Sequence, residues 1–454
     1  TLEEPDALIS VVARLSNRRI VYSCGVGDPD PLALPALLLA LAGRGAQSTQ
    51  STQSASSVSG SRGAAALEVL MHDYFPLDAD YTLSGSEALF TGLKQAPDEI
   101  VARRPGGMAV TRAQWREAWG GLLARADSIR AFSQASVDLV CAAYPEIGPD
   151  LRPARATALK LAPHSLPHEV ARVARPARRA PAPARGGGEA RVPFTIGVLG
   201  NVAPHKGAAV LERLSAHLAA PPEAPYGAAE PRARLVLIGA LDPAFHLAPP
   251  ARIHGPYAPC DIAPLAARYG VDCWFIPATW PETFSYVTHE ALATGLPVLA
   301  FDLGAQGEAL REASGSAMSG SAVSGAAAAG LGGPGVGLSG VGASGVGASG
   351  VGMTGARTAL LPLCYARQAP EEIVAAARRL AKAPAQRSGR ADAPLAVSDH
   401  AVSDHAVSDH AGRLDRADCA GRDGRANRDG RANRDEHPER RQGYHQERHQ
   451  GRAG

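Results

Sequence analysis

Pro281-Glu282-Thr283-Phe284-Ser285-Tyr286-Val287-Thr288-His289-Glu290, continued by Ala291-Leu292-Ala293-Thr294-Gly295-Leu296-Pro297-Val298, is the stretch on which the fold turns. It reads as a loop, a helix over Tyr286 to Thr294 ended by Gly295, and a buried strand over Pro297 to Phe301. Glu282 lies just before the helix and Glu290 inside it, eight residues on. On one continuous helix that spacing would turn the pair about 80° past two full turns, off a common face. Placing Pro281-Glu282 in the loop avoids this and leaves the backbone N–H groups of Thr283, Phe284 and Ser285, leading into the helix start, as donors for an anion. Glu290 can present its two oxygens to a diol. Taken alone, Glu282 reads as a charge favourable to the helix dipole and Glu290 as a solvated glutamate; the whole string suits a polyhydroxylated, phosphate-bearing ligand.

Working outward, the alternation of strand and helix continues on both sides. Upstream come strands at Thr195 to Leu199, Leu235 to Ile238, Ile253 and Cys273 to Ile276, with helices at Gly207 to Leu218 and Ile262 to Tyr269. Downstream, Thr358 to Leu363 and Glu371 to Leu380 resume the series after a Gly/Ala/Ser/Val tract at 314–355. The first part of the chain repeats the pattern: strands at Arg19 to Tyr22, Leu67 to Met71, Ser128 to Phe132 and Leu159 to Ala162, helices at Leu32 to Ala42, Arg112 to Ala124 and Ser136 to Ala143. Short apolar strands separated by amphipathic helices predict α/β architecture, with two Rossmann-like domains whose parallel sheets are covered on both faces. Ligands of such sheets bind at the carboxyl ends of the strands.

The domain plan follows. Residues 1–171 form an N-terminal domain with an insertion at 47–66, 172–190 a linker, 191–383 a C-terminal domain with its insertion at 314–355, and 384–454 a tail. The insertions, linker and tail are rich in Ser, Gly, Ala, Pro and Arg, and the tail repeats Ala-Val-Ser-Asp-His three times; such tracts bury too little apolar surface to order themselves. The first residue is Thr, and only 18 residues precede Arg19, so the N-terminal domain is expected to be incomplete.

Composition narrows the function. A net charge of +2 in 454 residues argues for no nucleic-acid partner. Six cysteines without a CxxC pair read as reduced thiols of a cytoplasmic protein. No apolar run approaches the roughly 18 residues of a membrane span. The basic linker Arg172 to Arg185 reads first as solvated; a peripheral contact at the inner face of the cytoplasmic membrane is its second reading.

A second string carries chemistry. Gly200-Asn201-Val202-Ala203-Pro204-His205-Lys206-Gly207 runs from a strand into a helix, so its backbone can approach a phosphate and Lys206 can supply a mobile charge. Its spacing is not that of a Walker loop.

Taken together, residues 194–310 resemble the nucleotide-binding domain of retaining glycosyltransferases of group 1, family 4 type, which have the two-Rossmann GT-B fold. The strings that carry the resemblance are Ile196-Gly197-Val198-Leu199-Gly200 with Lys206-Gly207, Val236-Leu237-Ile238-Gly239, His254-Gly255-Pro256-Tyr257, the Glu282 to Glu290 segment with Gly295-Leu296-Pro297-Val298, and Asp302-Leu303-Gly304-Ala305-Gln306-Gly307-Glu308. The resemblance implies that Gly200, Asn201 and Lys206 face the donor diphosphate, that Glu282 contacts the transferred sugar, that Thr283, Phe284 and Ser285 supply main-chain donors, that Glu290 binds the ribose, and that Gly239, His254 and Tyr257 line the base pocket. Many relatives carry Arg a few residues before the lysine, whereas here the position after Gly200 is Asn201; His205, beside Lys206, could substitute for part of that charge. Leu70-Met71-His72-Asp73 looks like the family's strand ending in a histidine at the cleft, which places His72 with Glu282 and Lys206 among the catalytic candidates; a structural role for His72 stays open. The activity implied is transfer of a sugar from a nucleotide-sugar to a glycan or lipid-linked acceptor with retention, in bacterial-type surface polysaccharide synthesis, with no cofactor or metal required. A nucleotide-sugar epimerase of the same fold and an inactive nucleotide-sugar-binding module are the alternatives. A retaining glycosidase would need its two carboxylates about 5 Å apart, a role the resemblance argues against for Glu282 and Glu290.

Overall fold

The structure is a computed structural model that describes residues 5–44, 65–147, 158–174, 193–220, 233–315, 356–364, 366 and 370–383. The segments read from the sequence as insertions, linker and tail lie almost wholly outside these residues. Two α/β lobes share one compact unit.

The N-terminal lobe contains α1 (Pro5–Ala13), β1 (Arg19–Tyr22), α2 (Leu34–Leu41), β2 (Ala66–Leu70), a hairpin of β3 (Ile100–Arg103) and β4 (Ala109–Thr111), α3 (Arg112–Leu123), β5 (Ser128–Ala131), α4 (Gln134–Ala143) and β6 (Ala158–Leu161). Its main sheet is parallel with the order β1-β2-β5-β6. The order never reverses, so right-handed crossovers put every connecting helix on the same face. Leu67, Val69, Ile129 and Ala131 are buried in the core that includes Trp115 and Trp119 of α3. On the other face Arg19 and Arg130 flank and pair with Glu68, and Arg19, Val21, Arg130 and Lys160 are exposed. Coverage of both faces, expected from the alternation of elements, is therefore not found for this sheet among the described residues; alternation fixes parallel pairing, whereas two-sided cover needs a reversal of strand order.

The C-terminal lobe has that reversal. Its elements are β7 (Phe194–Leu199), α5 (Ala208–Ala219), β8 (Ala233–Ile238), β9 (Arg252–Ile253), α6 (Ile262–Tyr269), β10 (Cys273–Ile276), α7 (Tyr286–Ala293), β11 (Val298–Phe301), α8 (Gly304–Ser314), β12 (Thr358–Leu361) and α9 (Pro370–Lys382). The sheet is wholly parallel, in the order β12-β11-β10-β7-β8-β9. Counted within the lobe this is the doubly wound order 3-2-1-4-5-6, with its switch point between β7 and β10. One core packs α5 and α9 against the sheet and includes Ile196, Val198, Leu211, Leu214, Phe275, Phe301 and Ile373. The other side of the sheet contributes Val236, Ile238, Trp274, Ile276 and Val298 to a cluster shared with the N-terminal lobe.

The lobes are closed on each other. A long excursion between β2 and β3 leaves the N-terminal lobe and meets the loop after β10: Phe90 N–H donates to Thr279 O at 2.9 Å, and Thr279 Oγ1 donates to Ala88 O at 2.6 Å. Arg112, 1% exposed at the start of α3, clamps both ends of the excursion, bonding Asp78 at 2.7 Å, Ala96 O at 2.8 Å and Glu99 at 2.7 Å. Glu308 of α8 reaches across to accept from Gln134 N–H at 2.9 Å and Ala135 N–H at 2.6 Å, capping the first turn of α4. No helix among the described residues is long and apolar enough to cross a membrane.

Candidate functional site

The two strings singled out in the sequence follow β7 and β10, the strands on either side of the switch point. They are packed together there. A Cβ on Gly207 would stand 2.1 Å from Pro277 O, and the residue holds φ +91°, so only glycine lets the two loops meet. Thr279 closes the seam, donating from its N–H to His205 O at 3.0 Å. A parallel approach joins the first two strand ends: Gly200 N–H donates to Ile238 O at 3.0 Å, and a Cβ on Gly239, at φ +140°, would meet Gly200 O at 2.0 Å.

Glu282 sits at the centre of the crevice, 5% exposed. Its backbone is fixed from α8: Gln306, fully buried, accepts from Glu282 N–H at 3.2 Å and donates to Trp280 O at 2.9 Å, while Ala305 N–H donates to Glu282 O at 2.9 Å. Burial pushes the carboxyl above the usual carboxylate range, and Lys206, the Ser285 hydroxyl and the Trp280 indole pull it back. Glu282 Oε2 and Trp280 Nε1 are nevertheless buried without a hydrogen-bond partner of proper geometry. A buried, orphaned carboxylate oxygen costs on the order of 1–3 kcal/mol or more; a sugar hydroxyl donating to it would recover that cost. Lys206 forms no ion pair within 4.0 Å among the described residues and is half-buried. Its charge acts on Glu282 through space.

Behind Glu282 the start of α7 adds further donors. Ser285 is the N-cap residue, in extended conformation, and its hydroxyl meets Thr288 Oγ1 at 2.7 Å. Among the described residues the N–H groups of Thr283, Phe284 and Ser285 make no hydrogen bond, although Thr283 and Ser285 are buried. Consecutive N–H groups at a helix start form a place for an anion.

The remaining expected site residues fall out differently. Glu290 is buried on α7 and pairs with His168 Nε2 at 2.9 Å; burial raises its carboxyl and His168 lowers it. Tyr257 stands near it, its hydroxyl held above the usual range by burial and by Glu290. His254 turns instead to Tyr269 of α6, its Nδ1 3.0 Å from the phenol oxygen. Asn201 is exposed. His205 does not supply the charge expected of it: burial and the neighbouring Lys206 lower its pKa to about 4, and its ring lies edge-on to Trp280 and Tyr81. His72 reaches the site through its backbone, the carbonyl accepting from Thr283 Oγ1 at 2.8 Å. Its ring stacks at 4.7 Å on Phe132, which in turn stacks at 4.0 Å on His164. Gln306, His168 and the Phe132–His164 stack were not among the sequence candidates; Gln306 lies in a string quoted there without a role.

The fold and site define a class: a two-lobed α/β protein whose second sheet carries, at its switch point, a crevice lined by Glu282, Lys206 and the loop that leads into α7. No family model matches the chain, and no curated protein matches it. Among solved structures it is similar to Anabaena HepE in complex with UDP-glucose, at 17% identity and a TM-score of 0.36 over 67% of this chain and 64% of that one. It is also similar to the apo form of the lipopolysaccharide outer core galactosyltransferase WaaB, at 10% and 0.33 over 66% and 60%. A third is the catalytic domain of Starch Synthase IV from Arabidopsis thaliana bound to ADP and acarbose, at 12% and 0.31 over 67% and 61%. The chain thus spans less than two thirds of the length of each. At such scores nothing about substrate or activity carries over, and the reading of the site rests on its own residues.

Proposed function

We propose that the protein is a glycosyltransferase that moves a sugar from a nucleotide-sugar to a glycan or lipid-linked acceptor with retention of configuration, as in bacterial-type surface polysaccharide synthesis. The observation that carries this reading is the meeting, at one switch point, of a buried carboxylate with an orphaned oxygen, a lysine and three unbonded N–H groups. Lys206 and the start of α7 would take the diphosphate and stabilise the charge that grows as it departs. Glu282 would accept from a hydroxyl of the sugar and hold its ring in place. Glu290 and Tyr257 would take the nucleoside. The acceptor would enter from the side of His72, and the closed lobes would keep water from the reacting carbon.

Positive charge is supplied by Lys206 and backbone dipoles, so the reaction is expected to proceed without a metal, and chelation with EDTA should leave turnover unchanged. The deciding experiment incubates the full chain with a panel of UDP-, GDP- and ADP-sugars and with glycan or lipid-linked acceptors, following nucleotide release and the anomeric configuration of the product by NMR. Transfer with retention that is lost in Lys206→Ala and Glu282→Ala supports the proposal. Conversion of the sugar without an acceptor would make the protein an epimerase, and binding without turnover an inactive module.

A further inference from the structure

Glu290 is distinguished from the other site groups by the origin of its partner. Lys206, Trp280 and Ser285, which act on Glu282, belong to the two loops at the switch point. His168 comes from the N-terminal lobe, on the segment that leaves β6 and crosses towards the second lobe. That segment is seated: Val170 is buried in the shared core, and Val173 N–H donates to Thr294 O, one residue past the end of α7, at 3.0 Å. It therefore delivers the imidazole to a fixed place, with 27% of the His168 side chain exposed against 8% of Glu290.

The chemistry of the contact is specific. His168 Nε2 and Glu290 Oε1 lie 2.9 Å apart; an ionised carboxylate only accepts, so against an ionised Glu290 the His168 ring would carry its proton on Nε2 and donate it. A glutamate on a helix has three side-chain torsions, and an unpartnered buried one takes up a proton rather than hold charge. One N–H donor on Oε1 removes both freedoms and leaves Oε2 to accept from a ligand. We propose that His168 is a positioning residue of the nucleoside pocket, holding Glu290 ionised and oriented so that its second oxygen receives the 2′,3′-diol of a nucleoside diphosphate. The inference rests on the reading of the crevice as a nucleotide-sugar site. It adds that the segment joining the lobes takes part in donor recognition, so that donor binding and the seating of that segment are coupled.

Calorimetric titration of the full chain with UDP, GDP and ADP, and with the 2′,3′-dideoxy form of whichever binds, tests this. In His168→Phe the ribonucleotide should bind about tenfold more weakly, as expected for loss of one hydrogen bond to a charged group. The dideoxy form should bind the variant and the unaltered chain alike. His168→Gln, whose amide can replace Nε2, should restore most of the affinity, and His168→Asn, too short to reach, should not. In a Glu290→Gln background His168→Phe should cost nothing further. Unaltered binding in both His168→Phe and His168→Asn, or equal loss for the ribo and dideoxy forms, would overturn the role of His168 while leaving the nucleotide site standing. Failure of all three diphosphates to bind the unaltered chain would overturn the site reading and this inference together. Thermal melting of each variant separates lost binding from lost folding, and the Gln and Asn variants decide the matter if the Phe variant does not fold.

Discussion

The two lobes use the same parts to different ends. Both have parallel sheets fed by helices, yet only the C-terminal sheet reverses its strand order, and only there do two strand-end loops diverge to open a crevice. The N-terminal sheet runs β1-β2-β5-β6 without reversal, and its strand ends lean on the crevice of its neighbour. His72, Phe132 and His164 follow three of these strands and pack into one cluster of mutually contacting rings that reaches Phe284, whose ring His164 meets edge-on at 5.3 Å. Winding order, rather than element content, decides which lobe owns the site.

The comparison can be broken most directly in the crevice. Lys206→Ala should lower donor turnover by about 10²–10³-fold, the usual consequence of removing one preorganised stabiliser of developing charge, measured as initial rates with the best donor of the panel. Glu282→Gln should lose turnover to a similar degree while raising the melting temperature, because a carboxylate whose ionisation burial opposes is replaced by a neutral amide. A loss of activity accompanied by a lower melting temperature would point to a structural role instead. Gly207→Ala comes next: with Pro277 O 2.1 Å from the new Cβ, the seam between the loops must part, at about 3 kcal/mol or more in a denaturant melt.

Contacts between the lobes should matter less than the crevice itself. Glu308→Ala removes two charge-assisted bonds to the start of α4 and should cost about 1–2 kcal/mol, in the range of lost helix caps. Thr283→Val, isosteric and without the hydroxyl that reaches His72 O, should cost about 1 kcal/mol and raise KM for the acceptor more than for the donor. The smallest effect sharpens rather than breaks the contrast. His205 has its folded pKa lowered to about 4, so the unfolded chain takes up its proton first as pH falls. The stability it contributes is complete above its ordinary value near 6.5 and declines from there down to about 4. An NMR titration in which this ring stays neutral from pH 8 to 5, as a residue serving as the site's second cation would not, checks the assignment.

What was legible in the sequence was local. Arg19–Tyr22, Ile262–Tyr269 and Cys273–Ile276 match their expected bounds, and the other assigned elements are displaced by no more than about two residues at either end. Glu282, Lys206 and the donors at Thr283 to Ser285 were readable because each belongs to a contiguous loop whose glycines, proline and charge declare it. Four of the labelled elements escaped. The α1 helix spans nine residues and buries none of them. The β3-β4 hairpin has strands of only four and three residues on either side of a turn at Pro105-Gly106-Gly107, too short to show a period. In α8, two glycines hide a helix whose N-terminal half is buried. The partners of the site were illegible for a plainer reason: His168 and Glu290 are 122 residues apart, and Glu308 and Gln134 are 174 apart. Strand order brings them together, and no local pattern encodes it.

The Glu308 cap has one more consequence. To separate the lobes, the protein must strip a carboxylate from two backbone donors and leave the positive end of α4 facing solvent. Dissolved anions can fill that place and salt weakens the attraction, so ionic strength becomes a control on how often the molecule gapes, and product escape should quicken as salt is added.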